Sequence, residues 1–304
     1  MLRVMCSMFY NIIPQAKLPR NIGGTFTYKS GVELKRGDLA IIEFRKTDVL
    51  GLVINKIDKM TAQAGKIKKV KKTVGAAPEF FVDLIKWLSD YYYSSSAFIF
   101  DMMTPRPPKR MIKKNKIRLE SKIFSSSLGT NFKNLKIPKS QIEYVKKILA
   151  DQSGLINTFD LALPAKFIAY YKLIEREFAR NRSVILLAPA IADLKIMLSY
   201  MPQLWEDRII LLYSDIYTAK NKYWQSWQKI NTSTKRKKSI IIIGARSALW
   251  APVNNLGLII FDRAESNDYK QCDQNPRYDA RRVAVKIGEL TNCAVKMFSD
   301  GIII

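Results

Sequence analysis

The residues with the clearest potential for chemistry directly follow an apolar run in the second half of the chain. The run 256–261, LGLIIF, is apolar apart from one glycine, as expected of a strand buried on both faces of a parallel sheet. Asp262 ends the run and Glu265 follows three residues later. A carboxylate at the carboxyl end of such a strand is typical of metal-dependent nucleotide chemistry. Arg263 and Ala264 stand between the two carboxylates, so the second carboxylate that this chemistry would place beside Asp262 is missing.

An α/β arrangement with a parallel sheet would position Asp262. From Pro138 onward, helical patterns alternate with short apolar runs, which favours a parallel sheet covered by helices. The predicted strands cover residues 183–188, 208–213, 239–244, 256–261 and 294–298.

The first part of the chain has a different pattern. Residues 3–57 alternate short apolar runs with glycine- and proline-bearing turns, which predicts a small β-barrel or sandwich. A helix is predicted over 78–93, where apolar residues recur at helical intervals. We therefore predict a small β-rich domain, a basic linker and an α/β lobe, covering residues 1–110, 111–137 and 138–304.

Charge is the strongest compositional signal. The 304 residues carry a net charge of +25, and residues 1–150 hold 29 Lys and Arg against 11 Asp and Glu. Dense basic clusters at 66–72 and 105–118 favour a polyanionic partner such as nucleic acid. The alternative interpretation is a solvated, lysine-rich surface.

Other residue types exclude several kinds of site. The sequence has no histidine and three scattered cysteines, which argues against a zinc site, a disulfide framework and imidazole catalysis. No apolar run is long enough to predict a membrane span, and we expect a cytoplasmic protein without a membrane partner.

Several strings resemble the primosomal protein N′ (PriA) family of replication-restart helicases. Residues 1–110 resemble its 3′-end DNA-binding domain, through TFTY at 25–28, GDLAIIEF at 37–44 and LGLV at 50–53. Residues 138–301 resemble its first RecA-like motor lobe. The strings that carry this second resemblance are RSVILLAP at 182–189, GARSALWAP at 244–252, NLGLIIFD at 255–262, YKQ at 269–271 and NPRYDARRVAV at 275–285.

The resemblance also implies what has been lost from the motor. The family's phosphate loop would fall over 160–167, DLALPAKF, where only Lys166 survives and no glycine is present to surround phosphates. On its own, Lys166 is more typical of an ordinary lysine at a helix end. The family's DEEH motif reads Asp262, Arg263, Ala264 and Glu265, so these eroded positions leave no confident catalytic residue. ATP and Mg²⁺, which the intact family uses, are therefore not expected as cofactors, nor is any metal.

The DNA-facing positions of the family are better kept. In the first domain they correspond to Phe26, Thr27, Tyr28, Arg45 and Lys68, with Thr27 in place of an aspartate and Arg45 in place of a glycine. These substitutions predict that the domain discriminates a 3′-hydroxyl less strongly and binds the DNA backbone in a salt-dependent manner. For Phe26 and Tyr28, packing in the core of the domain is as good an interpretation as stacking on a base.

In the lobe, a second set of positions matches a family loop that joins DNA to the nucleotide site. These positions are Tyr269, Lys270, Gln271, Arg277 and Tyr278, and Arg246 is a further candidate for phosphate contact. Ion pairing of Arg277 and Arg281 with Asp262, Asp273 or Asp279 is the alternative. Trp224, Trp227 and Trp250 are expected to pack in the core.

The resulting expectation is a protein that binds forked or single-stranded DNA and 3′ ends in replication restart, without ATP hydrolysis. Other primosome or replication proteins are possible partners in this interpretation. One alternative is a reduced ATP-dependent helicase subunit whose second lobe comes from another chain. Another is a decaying relic that folds without a selected activity.

Overall fold

The chain divides into two compact units, residues 1–117 and 118–304, each described by itself below. The structure, a computed structural model, describes residues 8–58, 67–108, 128–129, 136, 139–151, 155–157, 163–213 and 220–300. The predicted linker 111–137 lies outside the described residues apart from 128–129 and 136.

The first unit is an antiparallel sheet followed by two helices. Its elements are β1 (Met8–Pro14), β2 (Phe26–Ser30), β3 (Asp38–Phe44), β4 (Thr47–Ile57), β5 (Val70–Ala76), α1 (Phe80–Tyr91) and α2 (Ser96–Met103). The strand order is β2-β1-β4-β3-β5. The predicted β-rich domain and its helix are confirmed.

The edges of this sheet approach each other at one point. Lys29 of β2 and Lys69, directly before β5, form a parallel bridge, and the Lys29 N–H donates to the Lys68 carbonyl at 3.0 Å. The sheet therefore curls toward closure, as a small barrel would, and brings the start of β5 beside β2.

The hairpin turn between β3 and β4 has an unusual sequence for its geometry. Arg45 and Lys46 have φ values of 46° and 63°, both in the left-handed region that two-residue hairpin turns require. Asn-Gly or Asp-Gly is the usual choice there, and a bulky residue costs about 1–2 kcal/mol. The turn nevertheless presents two long cationic side chains to solvent.

The second unit is an α/β lobe. Its elements are α3 (Ile142–Ala150), β6 (Leu155–Asn157), α4 (Leu163–Ala179), β7 (Ser183–Leu187), α5 (Ile191–Ser199), β8 (Ile209–Leu212), α6 (Lys220–Lys235), β9 (Ile241–Gly244), β10 (Leu256–Phe261), α7 (Ala280–Thr291) and β11 (Ala294–Ser299). The five predicted strands are all present, and β6 is an additional edge strand that the sequence patterns did not indicate.

All strand pairs described in this sheet are parallel, in the order β6-β11-β10-β7-β9-β8. The predicted RecA-like α/β class is confirmed. Strands β7 and β10 are neighbours at the centre, and every residue of both is buried. The carboxyl ends of all the parallel strands lie at one edge, which is where ligands bind in open α/β sheets.

Aromatic residues fill the interior of the lobe. Trp224 and Trp227 are buried and stacked with their ring centroids 5.8 Å apart, which confirms the predicted packing role. Trp250 is also buried and meets the Tyr278 ring edge-on at 5.1 Å. Across the described residues, no helix combines the length and the apolar character needed to cross a membrane.

Close packing around β10 leads to a test of the lobe. A Cβ atom at Gly257 would collide with the carboxylate of buried Glu177 and with Arg182, whose guanidinium pairs with that carboxylate at 2.6 Å. We expect Gly257→Ala to lower the free energy of unfolding by about 1–3 kcal/mol, because the added methyl group must displace the buried Glu177 carboxylate and its ion pair with the partly exposed Arg182. Urea denaturation followed by tryptophan fluorescence measures this difference. Val285→Ala, at an exposed position of α7, is the control and should change it by less than about 0.5 kcal/mol.

Candidate functional site

The candidate site of the lobe lies where β7, β10 and β11 end. Asp262 follows β10, and its N–H donates to the Leu187 carbonyl at the end of β7 at 2.9 Å. Asp300 follows β11. Since neighbouring parallel strands end at the same edge, the two carboxylates are brought together although 38 residues of sequence separate them.

Lys166 connects the two carboxylates. It lies in the first turn of α4, and its Nζ is 2.9 Å from Asp262 Oδ1 and 2.8 Å from Asp300 Oδ2. Only 4% of Lys166 and 5% of Asp262 are exposed. The expectation of an ordinary lysine at a helix end is therefore wrong, because the side chain is a buried partner in an ion pair.

Tyr170 completes the arrangement. It lies one turn after Lys166 on α4, and its hydroxyl donates to Asp262 Oδ1 at 2.7 Å. Burial and the adjacent Asp262 carboxylate raise the pKa of Tyr170 well above its usual value, so the phenol stays protonated as a donor. Burial alone would lower the pKa of Lys166, but the charge of Asp262 and the hydrogen bonds to both carboxylates outweigh it, and the net shift is upward.

These contacts decide what Asp262 is able to do. One of its oxygens accepts from both an ammonium and a phenol, so its charge is already compensated inside the protein. A metal ion or phosphate at this edge would have to break that pairing. Within the ranges that the structure describes, no cluster of three or more histidine, cysteine, aspartate or glutamate residues is placed to hold a metal ion.

Two further positions of the eroded motif, Arg263 and Glu265, contact different partners. Arg263, in a left-handed conformation with φ 47°, forms an ion pair with Asp193 of α5. Glu265 accepts a hydrogen bond from Ser299 Oγ at 2.8 Å. Glu265 is thus engaged with the end of β11, whereas Lys166 and Asp262 contact each other.

The sequence analysis did not identify Tyr170 or Asp300 as site residues. Only Tyr170 carried a usable signal, because it lies four residues after Lys166 on one helix face.

The loop after β10 holds the lobe together through its aromatic residues. Tyr269 is 0% exposed and its hydroxyl donates to the Asp262 and Leu187 carbonyls at 2.6 and 3.0 Å, while Tyr278 is 2% exposed. Both rings are therefore buried in the lobe in this conformation and are not exposed to a base. They fix the loop against the carboxyl end of the sheet.

The basic residues in and beside this loop divide into two groups. Arg246 donates to the carbonyls of Asp268 and Lys270 at 3.0 and 3.1 Å, which ties the loop to the turn after β9. Arg281 pairs with Asp279 at 2.8 Å, as the ion-pairing alternative expected. Lys270 and Arg277 are exposed and remain candidates for contact with phosphate.

The candidate site of the first unit lies at the end of β3. The Phe26 and Phe44 rings meet edge-on with centroids 5.0 Å apart, and the Arg45 guanidinium carbon is 5.5 Å from the Phe44 centroid. Lys68 Nζ pairs with Glu43 Oε1 at 2.8 Å. The side-chain hydrogen bond and charge of Lys68 lower the pKa of the Glu43 carboxyl. The structure therefore brings Phe26, Arg45 and Lys68 to one place on the first unit.

The side chains of Tyr28 and Thr27 lie on opposite faces of β2. Tyr28 is buried in the core and its hydroxyl donates to the Glu43 carbonyl at 3.1 Å; burial and the charge of Glu43 raise its pKa to about 12. Phe26 packs against the same core and is partly buried. Thr27 points to the other face, where its hydroxyl lies 3.4 Å from Asn11 Oδ1. Core packing thus describes Tyr28, and Thr27 is separated from the cluster around Phe44.

Comparison with known proteins matches both units. Residues 15–105 match the family model of the 3′DNA-binding domain (3′BD). Replication restart protein PriA of Chlamydia muridarum is 32% identical over 216 residues, which cover 63% of this chain and 28% of that protein. The Rickettsia felis protein of the same name is 26% identical over 292 residues, covering 95% of this chain and 42% of that protein.

The fold and the match over 15–105 define the class: a 3′DNA-binding domain in the first unit, with an α/β lobe of the RecA type in the second. The chain is similar to PriA-type replication restart proteins, and the resemblance found in the sequence is confirmed. It spans between about a quarter and two fifths of the length of the two relatives described above.

The buried pair at Lys166 leads to a prediction about stability. Lys166→Met should lower the free energy of unfolding of the lobe by about 3–5 kcal/mol, because it leaves Asp262 buried without its cation. Chemical denaturation measures the change. Lys172→Met is the matched control, since Lys172 lies on the same helix in a half-exposed pair with Glu175 and should cost no more than about 0.5 kcal/mol. Equal effects of the two substitutions would contradict a special role for the buried pair.

Proposed function

We propose that this protein binds DNA in replication restart through its first unit, with a preference for forked or single-stranded DNA and 3′ ends, and without hydrolysing ATP. The observation that carries the proposal is the match of residues 15–105 to the 3′DNA-binding domain family, together with the gathering of Phe26, Arg45 and Lys68 around Glu43 and Phe44.

The charge of the first unit supports this partner. Residues 1–117 hold 22 Lys and Arg against 9 Asp and Glu. Such an excess favours a polyanion, because each contact between a cation and a phosphate releases condensed counterions. The relatives' shared name, replication restart protein, suggests where in DNA metabolism this binding would act. DNA in forks is the proposed substrate, other replication proteins are proposed partners, and the cytoplasm is the proposed location.

The arrangement around Asp262 supports the absence of ATP hydrolysis. Lys166 is the one phosphate-loop position that the sequence retains, and its ammonium is buried against Asp262 and Asp300. To bind a nucleotide, Lys166 would have to leave two carboxylates for phosphate, and Asp262 would have to exchange an ammonium for a metal ion. Nucleotide binding would therefore have to replace a buried pair whose charges already compensate each other.

The second candidate function is that of a helicase subunit completed by a lobe from another chain. It is favoured by the same geometry, since Lys166 and Asp262 are brought together at the edge of the sheet where motor proteins bind nucleotide. A nucleotide that supplied enough binding energy could open the pair. ATP turnover distinguishes the two proposals.

The proposed DNA contact at Arg45 has a direct test. Arg45→Gly should lower affinity for a fork with a 3′ end several-fold and reduce the slope of log affinity against log salt by about 1, because one phosphate contact is lost. Fluorescence anisotropy over a salt series measures both quantities. Folding should not suffer, since glycine accepts the φ of 46° without strain.

Lys35→Ala is the control, because it removes one exposed charge before β3, whereas Arg45 follows that strand. An affinity of the unaltered protein for forks that does not exceed its affinity for random duplex would contradict the preference and leave the relic interpretation.

Forks that end in a 3′-hydroxyl or a 3′-phosphate should bind with similar affinity if discrimination of the hydroxyl is weak.

A separate prediction concerns ATP. Phosphate release in the presence of Mg²⁺ should equal the protein-free rate, with or without forked DNA, since Lys166 and Asp262 are committed to each other. A coupled phosphate assay measures this rate. Hydrolysis above background that Lys166→Met abolishes and Lys172→Met leaves intact would overturn the proposal and establish the helicase alternative.

A further inference from the structure

Tyr93 lies directly after the C-terminal capping residue of α1, a position where tyrosine is unusual. Tyr93 has φ 53°, in the left-handed region, and 73% of the residue is exposed. Among the described residues, other helices of the chain end in this conformation at Asn181, Lys237 and Asn292. Glycine or asparagine is the normal choice there. A tyrosine is less stable than glycine or asparagine in left-handed backbone, because its Cβ atom approaches the following carbonyl oxygen. Its exposed ring gains little from packing in return.

The backbone around Tyr93 is held firmly. The Ser94 N–H donates to the Ser89 carbonyl at 3.1 Å, the long hydrogen bond of a Schellman motif, and Ser89 Oγ donates to the Ser94 carbonyl. Tyr93 is therefore presented by a fixed turn. An observed strain at a fixed and exposed side chain is a reason to look for function.

A cation covers one face of the ring. The Arg20 guanidinium carbon is 4.2 Å from the centroid of the Tyr93 ring. Arg20 begins a short 3-10 turn, Arg20–Ile22, in the connection between β1 and β2. This connection is anchored to the start of α2, because Ser95 Oγ donates to the Leu18 carbonyl at 2.6 Å and Gly24 packs directly against Ser96. Both members of the pair are thus positioned before any ligand arrives.

We propose that Tyr93 and Arg20 form a stacking platform for single-stranded DNA, which extends the contact made at the end of β3. A base would stack on the ring face away from Arg20, and the guanidinium would attract a neighbouring phosphate. Aromatic rings with adjacent cations suit single strands, because every base has a face that stacks and every nucleotide carries a phosphate. This inference rests on the proposed DNA binding and adds a second point of contact to it.

Chain geometry favours DNA over a protein as the occupant. The turn that carries Arg20 leads within four residues from Ile22 to Phe26 of the first candidate site. Four residues span at most about 14 Å, so a strand of a few nucleotides reaches both places. The surrounding unit is strongly basic, with 22 Lys and Arg against 9 Asp and Glu over residues 1–117. That charge complements a phosphate backbone.

The test uses the full chain and oligothymidines of about 4 and about 20 nucleotides, a range that brackets the size of single-strand sites on small domains. Tyr93→Asn removes the ring and keeps a residue that tolerates the backbone conformation. We expect affinity for the longer oligonucleotide to fall at least about fivefold, because one stacked base is lost. The thermal midpoint should stay unchanged or rise. Tyr93→Phe should bind as the unaltered protein does.

Val32→Asn, at another exposed apolar position of the same unit, is the control and should leave affinity unchanged. Equal binding of the longer oligonucleotide by Tyr93→Asn and the unaltered protein would overturn the platform alone. Failure of the unaltered protein to bind either oligonucleotide would overturn the proposed function as well. A fall in thermal midpoint for Tyr93→Asn, with unchanged affinity, would assign Tyr93 a purely structural role.

Discussion

The buried ion pair between Lys166 and Asp262 is the interaction on which the lobe depends. Burying either charge alone would cost several kcal/mol, so each residue is stable in the interior only because the other is present. The pair also joins three elements, since Lys166 belongs to α4, Asp262 follows β10 and Asp300 follows β11. The edge of the sheet that serves as a ligand site in related architectures is here closed by the protein's own side chains.

This closure explains why the loop after β10 is so well anchored. Tyr269 bonds to the backbone of Asp262, and Tyr278 packs on Trp250, so the aromatic residues of the loop support the sheet edge from the other side. A loop fixed in this way keeps Asp262 oriented toward Lys166. Among the loop residues that the structure describes, Lys270 and Arg277 are exposed basic residues.

The first unit presents charged and aromatic residues at its turns. Arg45, Lys46 and Tyr93 occupy left-handed backbone, where glycine or asparagine would be more stable. Each of these residues places a long or aromatic side chain in solvent at a rigid turn. A stable core, with Tyr10, Tyr28 and Ile42 fully or almost fully buried, offsets that strain. Stability is thus concentrated inside the sheet, and the exposed turns keep groups suited to phosphates and bases.

The sequence by itself determined five of the lobe's six described strands, the two-part organisation and the place of Asp262 at the end of β10, because burial on both faces of a strand leaves an uninterrupted apolar run. Only the tertiary structure showed that Lys166 is buried, that Asp300 shares it with Asp262, and that Tyr269 and Tyr278 face inward. The physical reason is that the order of strands within the sheet decides which distant charges come into contact, and no local sequence pattern encodes that order. A charged side chain is stable in the interior only where an opposite charge lies beside it.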